Sequence, residues 1–133
     1  MSWQAYVDNN LVGTKKVTQA AILGKAGGVW AKSSDITISP EEQKAITAAF
    51  TNKAAVQASG FRIANQKYIF LSSDTYGDDP DLIVVQGKKQ TDGAVLAQTK
   101  QAILVVTYIY PQTAQDAGLL VTNLGAYLAS QRY

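Results

Sequence analysis

Among its 133 residues the chain has no cysteine and no histidine. Without cysteine there are no thiol nucleophiles, disulfides or iron–sulfur ligands. Without either residue nearly every structural or catalytic zinc site is excluded, as is haem ligation by them. The same two absences remove Ser-His-Asp and Cys-His catalysis and any imidazole proton relay. Proline is scarce, at three residues, and charged residues make up 17% against 47% hydrophobic, which excludes a disordered chain and fits a soluble globular one. No apolar run is long enough to cross a bilayer; the longest, Ala102 to Tyr110, is broken by Thr107. The opening Met1-Ser2-Trp3-Gln4 lacks the basic and apolar regions of an export signal, and no Asn-x-Ser/Thr acceptor occurs. Taken with the missing cysteine, these features lead us to expect a reducing, cytoplasmic setting.

What is present fits one domain, residues 1–133, able to bury roughly two-thirds of its unfolded surface without a metal or disulfide. The net charge of +2 is mildly basic and well short of a dedicated nucleic-acid binder. The basic residues are scattered, with Lys15-Lys16 and Lys88-Lys89 the only adjacent pairs.

Along the chain, residues 2–12 read as a short helix. Ser2 is placed to cap it, Trp3, Val7, Asn10 and Leu11 share a face, and Gly13 ends it. Two strands follow, Thr18 to Gly24 and Val29 to Lys32, around a Lys25-Ala26-Gly27-Gly28 turn. Ser39-Pro40-Glu41-Glu42 is the sharpest boundary: Ser39 caps, Pro40 takes the first helical position and Glu42 completes a capping box. The helix it opens carries Ala45, Ile46, Ala49 and Phe50 at helical spacing. Five strands are expected next, over Phe61–Ile63, Lys67–Leu71, Leu82–Gln86, Ala94–Gln98 and Ala102–Tyr110, with Pro111 stopping the last. Thr113 to Ser130 forms a second long helix with Ala117, Leu120, Val121, Leu124 and Leu128 on one stripe. Short, closely spaced strands between helices predict an α+β domain: a central antiparallel sheet covered by helices.

Catalytic signals are weak. Asp74, Asp78, Asp79 and Asp81 form an acidic group, but Gly77 precedes the later aspartates and no terminal glutamate follows, so they read as a solvated loop rather than a calcium site. Gly87-Lys88-Lys89 lacks the upstream glycine and following Ser/Thr of a phosphate loop. An enzyme using only carboxylates and lysines ranks last, because no pair has the spacing of an acid and a base. No cofactor and no metal site is expected.

The aromatic residues say more. Trp3 and Tyr6 sit at i, i+3, Tyr127 lies on the edge of the last helix's stripe, and Tyr133 follows its final turn. With the terminal helices side by side on one sheet face, these three tyrosines, Trp3 and Trp30 line one surface. Such a surface suits a polyproline II segment, whose carbonyls are free and whose rings are apolar. Aromatic faces pack on those rings while indole N–H and phenol O–H groups donate to the carbonyls.

Three segments then identify a resemblance: the opening Met1-Ser2-Trp3-Gln4-Ala5-Tyr6-Val7-Asp8-Asn9, the stretch Gly28-Val29-Trp30-Ala31, and Leu124-Gly125-Ala126-Tyr127-Leu128 with Tyr133. Over essentially its whole length the chain resembles the profilins, most nearly the short ones of fungi and amoeboid protists. The resemblance implies a six- or seven-stranded antiparallel sheet with the N- and C-terminal helices on one face and shorter helices on the other. It implies a monomer that binds one actin monomer at its barbed-end face, suppresses nucleation, promotes nucleotide exchange on actin and reads proline-rich stretches of formins and related nucleators. Trp3, Tyr6, Trp30, Tyr127 and Tyr133 match the polyproline-binding aromatics. Lys88, Lys89, Lys100, Thr113, Leu119 and Asn123 fall at actin-contact positions.

Family members also bind phosphoinositides in competition with their protein ligands. Each basic group near an anionic leaflet adds on the order of 1 kcal/mol, so scattered lysines imply a salt-sensitive adhesion. The chain departs from the family pattern in its longer, acidic 73–81 loop without an arginine, in Gln86 before Gly87, and in Leu119, where many profilins have lysine. Actin's side of that contact includes acidic groups, so these changes slow association. The alternative they suggest is a polyproline-binding adaptor with weak or lost actin binding.

Overall fold

The structure, a computed structural model, describes residues 3–25, 27–33, 36–76, 80, 82–109 and 112–133. The chain opens with a short α1 (Trp3–Ala5) that continues as a π-helix over Tyr6–Leu11 and a 3-10 turn over Val12–Thr14. β1 (Gln19–Gly24) and β2 (Val29–Lys32) follow, then α2 (Pro40–Thr51), α3 (Lys53–Ser59) and β3 (Phe61–Ile63). β4 (Gln66–Thr75), β5 (Ile83–Lys89), β6 (Asp92–Gln98), β7 (Ala102–Tyr108) and α4 (Ala114–Ser130) complete it.

The seven strands make one sheet in the order β2-β1-β7-β6-β5-β4-β3, with every neighbouring pair antiparallel. β7 is an interior strand, between β1 and β6, and its alternation shows how both faces are filled. Ala102, Leu104, Val106 and Tyr108 pack with Val7 and Leu11 of the N-terminal helix and with Ala117, Val121 and Leu128 of α4. Ile103 and Val105 pack on the other face with Ile46 and Ala49 of α2 and Val56 of α3. A strand buried on both sides reads as an unbroken apolar run, which is why residues 102–108 show no period-2 pattern. The terminal helices therefore share one face and the shorter helices hold the other, as expected.

The local signals of α2 are realised in full. Ser39 Oγ accepts from Glu42 N at 3.1 Å, and the Glu42 carboxylate accepts from Ser39 N at 3.0 Å. Its second oxygen accepts from Asn65 N at 2.7 Å, tying the start of α2 to the β3–β4 turn.

Elsewhere the structure corrects the expectation. The N-terminal helix is not uniformly α: between Tyr6 and Leu11 it widens to π, and Asn10, expected on the apolar face, is exposed. Gly13 permits this, because a Cβ there would lie 2.3 Å from the Asp8 carbonyl oxygen. α3 was not anticipated; its only buried apolar side chain is Val56, too little for a periodic signal. β4 and β5 run past their expected ends, to Thr75 and Lys89, since polar tips lose no ladder bonds by reaching into solvent. β7 ends at Tyr108, while Tyr110, Pro111 and the cap at Ser2 lie outside the described residues.

Candidate functional site

The two ends of the chain meet on the α4 face of the sheet. α1 brings Trp3, the π-helix brings Tyr6, the edge strand β2 brings Trp30, and α4 with its following turn brings Tyr127 and Tyr133. Trp3 is the hub. Its ring centroid is 4.8 Å from Trp30, 5.0 Å from Tyr133 and 5.7 Å from Tyr6. Tyr6 in turn lies 6.4 Å from Tyr127. All five rings thus form one continuous strip of tilted and edge-on contacts, the geometries that the ring quadrupole favours.

The strip is supported from below and open above. Trp3 and Tyr6 are half-buried against the apolar cluster beneath α4, whereas Tyr127 and Tyr133 keep 50% and 44% of their surface exposed. Partial desolvation raises the Tyr6 phenol above its ordinary value, reinforced by its hydrogen bond to Tyr127 and the nearby Tyr127 and Tyr133 phenols. Tyr6 therefore stays a neutral hydroxyl able to donate at any physiological pH. At the Tyr6–Tyr127 end the strip opens into a pocket of about 420 Å³ lined by Tyr6, Asn10, Leu120, Asn123, Leu124 and Tyr127. At the other end the last residue is tied down: Tyr133 N donates to Leu128 O at 2.9 Å, and Thr99 Oγ1 lies 2.7 Å from the Tyr133 main-chain oxygen.

The six basic and helical positions do not gather in one place. Lys88 is paired in register with Ile69 and projects on the α4 side, while strand alternation sends Lys89 to the opposite side, where its ammonium donates to Gln66 Oε1. Lys100 sits in the β6–β7 turn, at the far end of β6 from the Lys88–Gly93 pair and next to the turn's contacts with Tyr133. Thr113 caps α4, its hydroxyl accepting from Asp116 N at 3.1 Å. Leu119 is 54% exposed on the outer face of α4. Asn123, one turn further on, leans toward the N-terminal helix and lines the pocket beside Tyr6 rather than overlooking β5.

Two exposed side chains were missed in the sequence. Ile69, 66% exposed, lies beside Lys88, and Leu71 is the extra residue of a β-bulge opposite Gln86. The run Tyr68-Ile69-Phe70-Leu71 hides its alternation because both faces carry apolar residues, yet Tyr68 and Phe70 face the α2 side and Ile69 does not. Of the acidic group, Asp74 is exposed on β4, and Asp78, Asp79 and Asp81 lie outside the described residues. Gly87-Lys88-Lys89 is strand, not a phosphate-cradling turn.

Five adjoining rings, open at Tyr127 and Tyr133 and carrying three phenol hydroxyls, make this face an aromatic contact surface. A family model described as Profilin matches residues 1–133. Profilin-1 of Dictyostelium discoideum is 42% identical over 134 residues, covering 100% of both chains. The crystal structure of Acanthamoeba castellanii profilin II superposes with a TM-score of 0.90 at 38% identity, over 99% of this chain and 100% of that one. Mouse profilin IIa, solved in complex with a double repeat from the FH1 domain of mDia1, shares the fold at 20% identity with a TM-score of 0.80, over 100% of both chains. The chain belongs to the profilin family. Profilins are actin-binding cytoskeletal proteins, not enzymes.

Proposed function

We propose that the chain binds monomeric actin one-to-one at its barbed-end face and, on a separate surface, reads proline-rich stretches of formins and related nucleators. In this reading it suppresses spontaneous nucleation, promotes nucleotide exchange and hands actin to the nucleator in the cortical cytoplasm. The observation that carries it is the unbroken strip Tyr127–Tyr6–Trp3–Trp30, with Tyr133 edge-on to Trp3. A polyproline II helix is already stiff, so little ordering entropy opposes its docking on such a strip. Individual segments bind weakly on an open surface and gain through repetition.

The actin surface in this reading is the part of β4 and β5 beside α4, where Ile69 and Leu71 add apolar area around Lys88 and Leu119 borders it. Apolar contact there offsets the charge lost at Leu119. Lys100, Thr113 and Asn123 are peripheral to that surface. Phosphoinositide headgroups would meet scattered lysines, which supports a salt-sensitive adhesion.

Retention on a proline-affinity column together with slowed spontaneous assembly of pyrene-labelled actin is the expected result. The second reading, a polyproline adaptor with weak actin binding, is favoured by the separation of Lys88 from Lys89 onto opposite faces. It predicts a tryptophan fluorescence response to a proline decamer with no effect on actin.

A further inference from the structure

We propose that the β6–β7 turn, through Thr99 and Gln101, positions the aromatic strip: it fixes the last residue so that the Tyr133 ring is in place before a ligand arrives. The inference rests on the polyproline reading above and adds to it two residues that contribute no ring to the strip.

The argument begins with a buried hydroxyl. Thr99 is fully buried, and its Oγ1 accepts from Ala102 N at 3.0 Å. Two carbonyl oxygens lie within reach of its single hydrogen, Tyr133 O at 2.7 Å and Ala102 O at 3.1 Å. Tyr133 O is the closer of the two, so the hydrogen serves Tyr133, while Ala102 O accepts from Thr99 N at 2.8 Å. Gln101 N donates to the same Tyr133 oxygen, and Gln101 Nε2 donates to Arg132 O at 2.9 Å. The main chain that follows α4 is thereby held at two successive carbonyls by one turn.

The same turn reaches the other side of the strip. Gln101 O accepts from Lys25 N at 3.0 Å, at the start of the β1–β2 turn whose second strand carries Trp30. One residue thus links the segments that deliver Tyr133 and Trp30 to the Trp3 ring. The final residues of a domain are ordinarily the least ordered part of it unless tied down. A ring ordered in advance spares the complex that ordering cost at the moment of binding, so the turn acts on affinity through preorganisation.

The test is a double-mutant cycle on the full chain, with a proline decamer as probe and affinity read by calorimetry. Thr99→Val is expected to bind roughly three- to tenfold more weakly, the usual scale for one lost hydrogen bond. Thr99→Ser should return to near wild-type affinity. In a Tyr133→Ala background, Thr99→Val should bring no further loss, because the turn then holds no ring. Without ligand, Thr99→Val should also shift tryptophan emission to the red as Tyr133 leaves Trp3. Should Thr99→Val fail to fold, Gln101→Ala enters the same cycle from an exposed position. Unchanged affinity in these variants, or an equal loss with and without the Tyr133 ring, overturns the inference. Failure of the wild type to bind the decamer would instead overturn the polyproline reading, and the emission shift would still decide whether the turn positions Tyr133.

Discussion

The indole of Trp30 lies directly against Gly24: a methyl group on that α-carbon would sit 2.6 Å from the indole Nε1 and 2.9 Å from Cε2. Trp30 is the extra residue of a bulge in the β1–β2 pairing, between Val29 opposite Leu23 and Ala31 opposite Ile22, and only the missing side chain of Gly24 lets its ring lie down beside Trp3. Gly24→Ala should push Trp30 outward and lower proline-peptide affinity severalfold. The accompanying cost in stability is about 1 kcal/mol or more, since the alanine also meets Gly27 O. Thermal melts and fluorescence titration of the same variant separate the two effects.

Trp3 touches three of the other four rings, so it is the side chain whose loss interrupts the strip most. Trp3→Ala is expected to weaken binding of a proline decamer by roughly 1–3 kcal/mol, the range of an interface hot spot. A folded variant with wild-type affinity, measured by calorimetry, would contradict the role proposed for the strip.

Lys88 and Lys89 are neighbours in sequence but occupy opposite sides of β5. Lys88→Glu should therefore slow association with actin, mainly through the on-rate, while Lys89→Glu changes it little. Stopped-flow binding at two salt concentrations measures this, and equal effects of the two substitutions would place the actin surface elsewhere.

Glu42 is a nearly buried carboxylate that holds both the α2 start and the β3–β4 turn. Ser39→Ala removes one cap bond and should cost about 1 kcal/mol. Glu42→Ala strands two main-chain donors and should cost roughly 2–3 kcal/mol. Urea unfolding gives both numbers, and the order of the two variants is the sharper check.

Burial raises the phenols of Tyr76, Tyr68 and Tyr108 above the ordinary 10.0, Tyr76 most strongly, with the charge of Asp92 adding to Tyr68. A proton held more tightly by the folded state stabilises it fully while the unfolded phenol is also protonated. That contribution is lost as pH rises past about 10, where the unfolded chain ionises first. Stability should thus decline at alkaline pH, and Tyr76→Phe should flatten the decline while forfeiting the 2.7 Å hydrogen bond to Gln98 O. Urea midpoints between about pH 9 and pH 11 report it.

What local chemistry dictates was legible in the sequence. Ser39, Pro40 and Glu42 announced α2 because a cap is satisfied within three residues of itself, and the stripe of α4 announced which side faces the core. The β1–β2 hairpin was likewise readable from its glycine turn. The five aromatic positions were named from residue type, spacing and family likeness, and the structure brings all five together.

Only the tertiary structure decided how those rings are held and what surrounds them. Asn123 turns into the Tyr6 pocket because α4 packs beside the N-terminal helix, while Lys88 parts from Lys89 and Ile69 emerges on the surface because a sheet register assigns each strand side chain a face. Thr99 and Gln101 meet Tyr133 through main-chain carbonyls, which every residue possesses and no sequence pattern marks. Side-chain identity supplied the rings and hydroxyls of this protein; contacts between segments distant in the chain, set by strand pairing and helix packing, determined the surface on which they are presented.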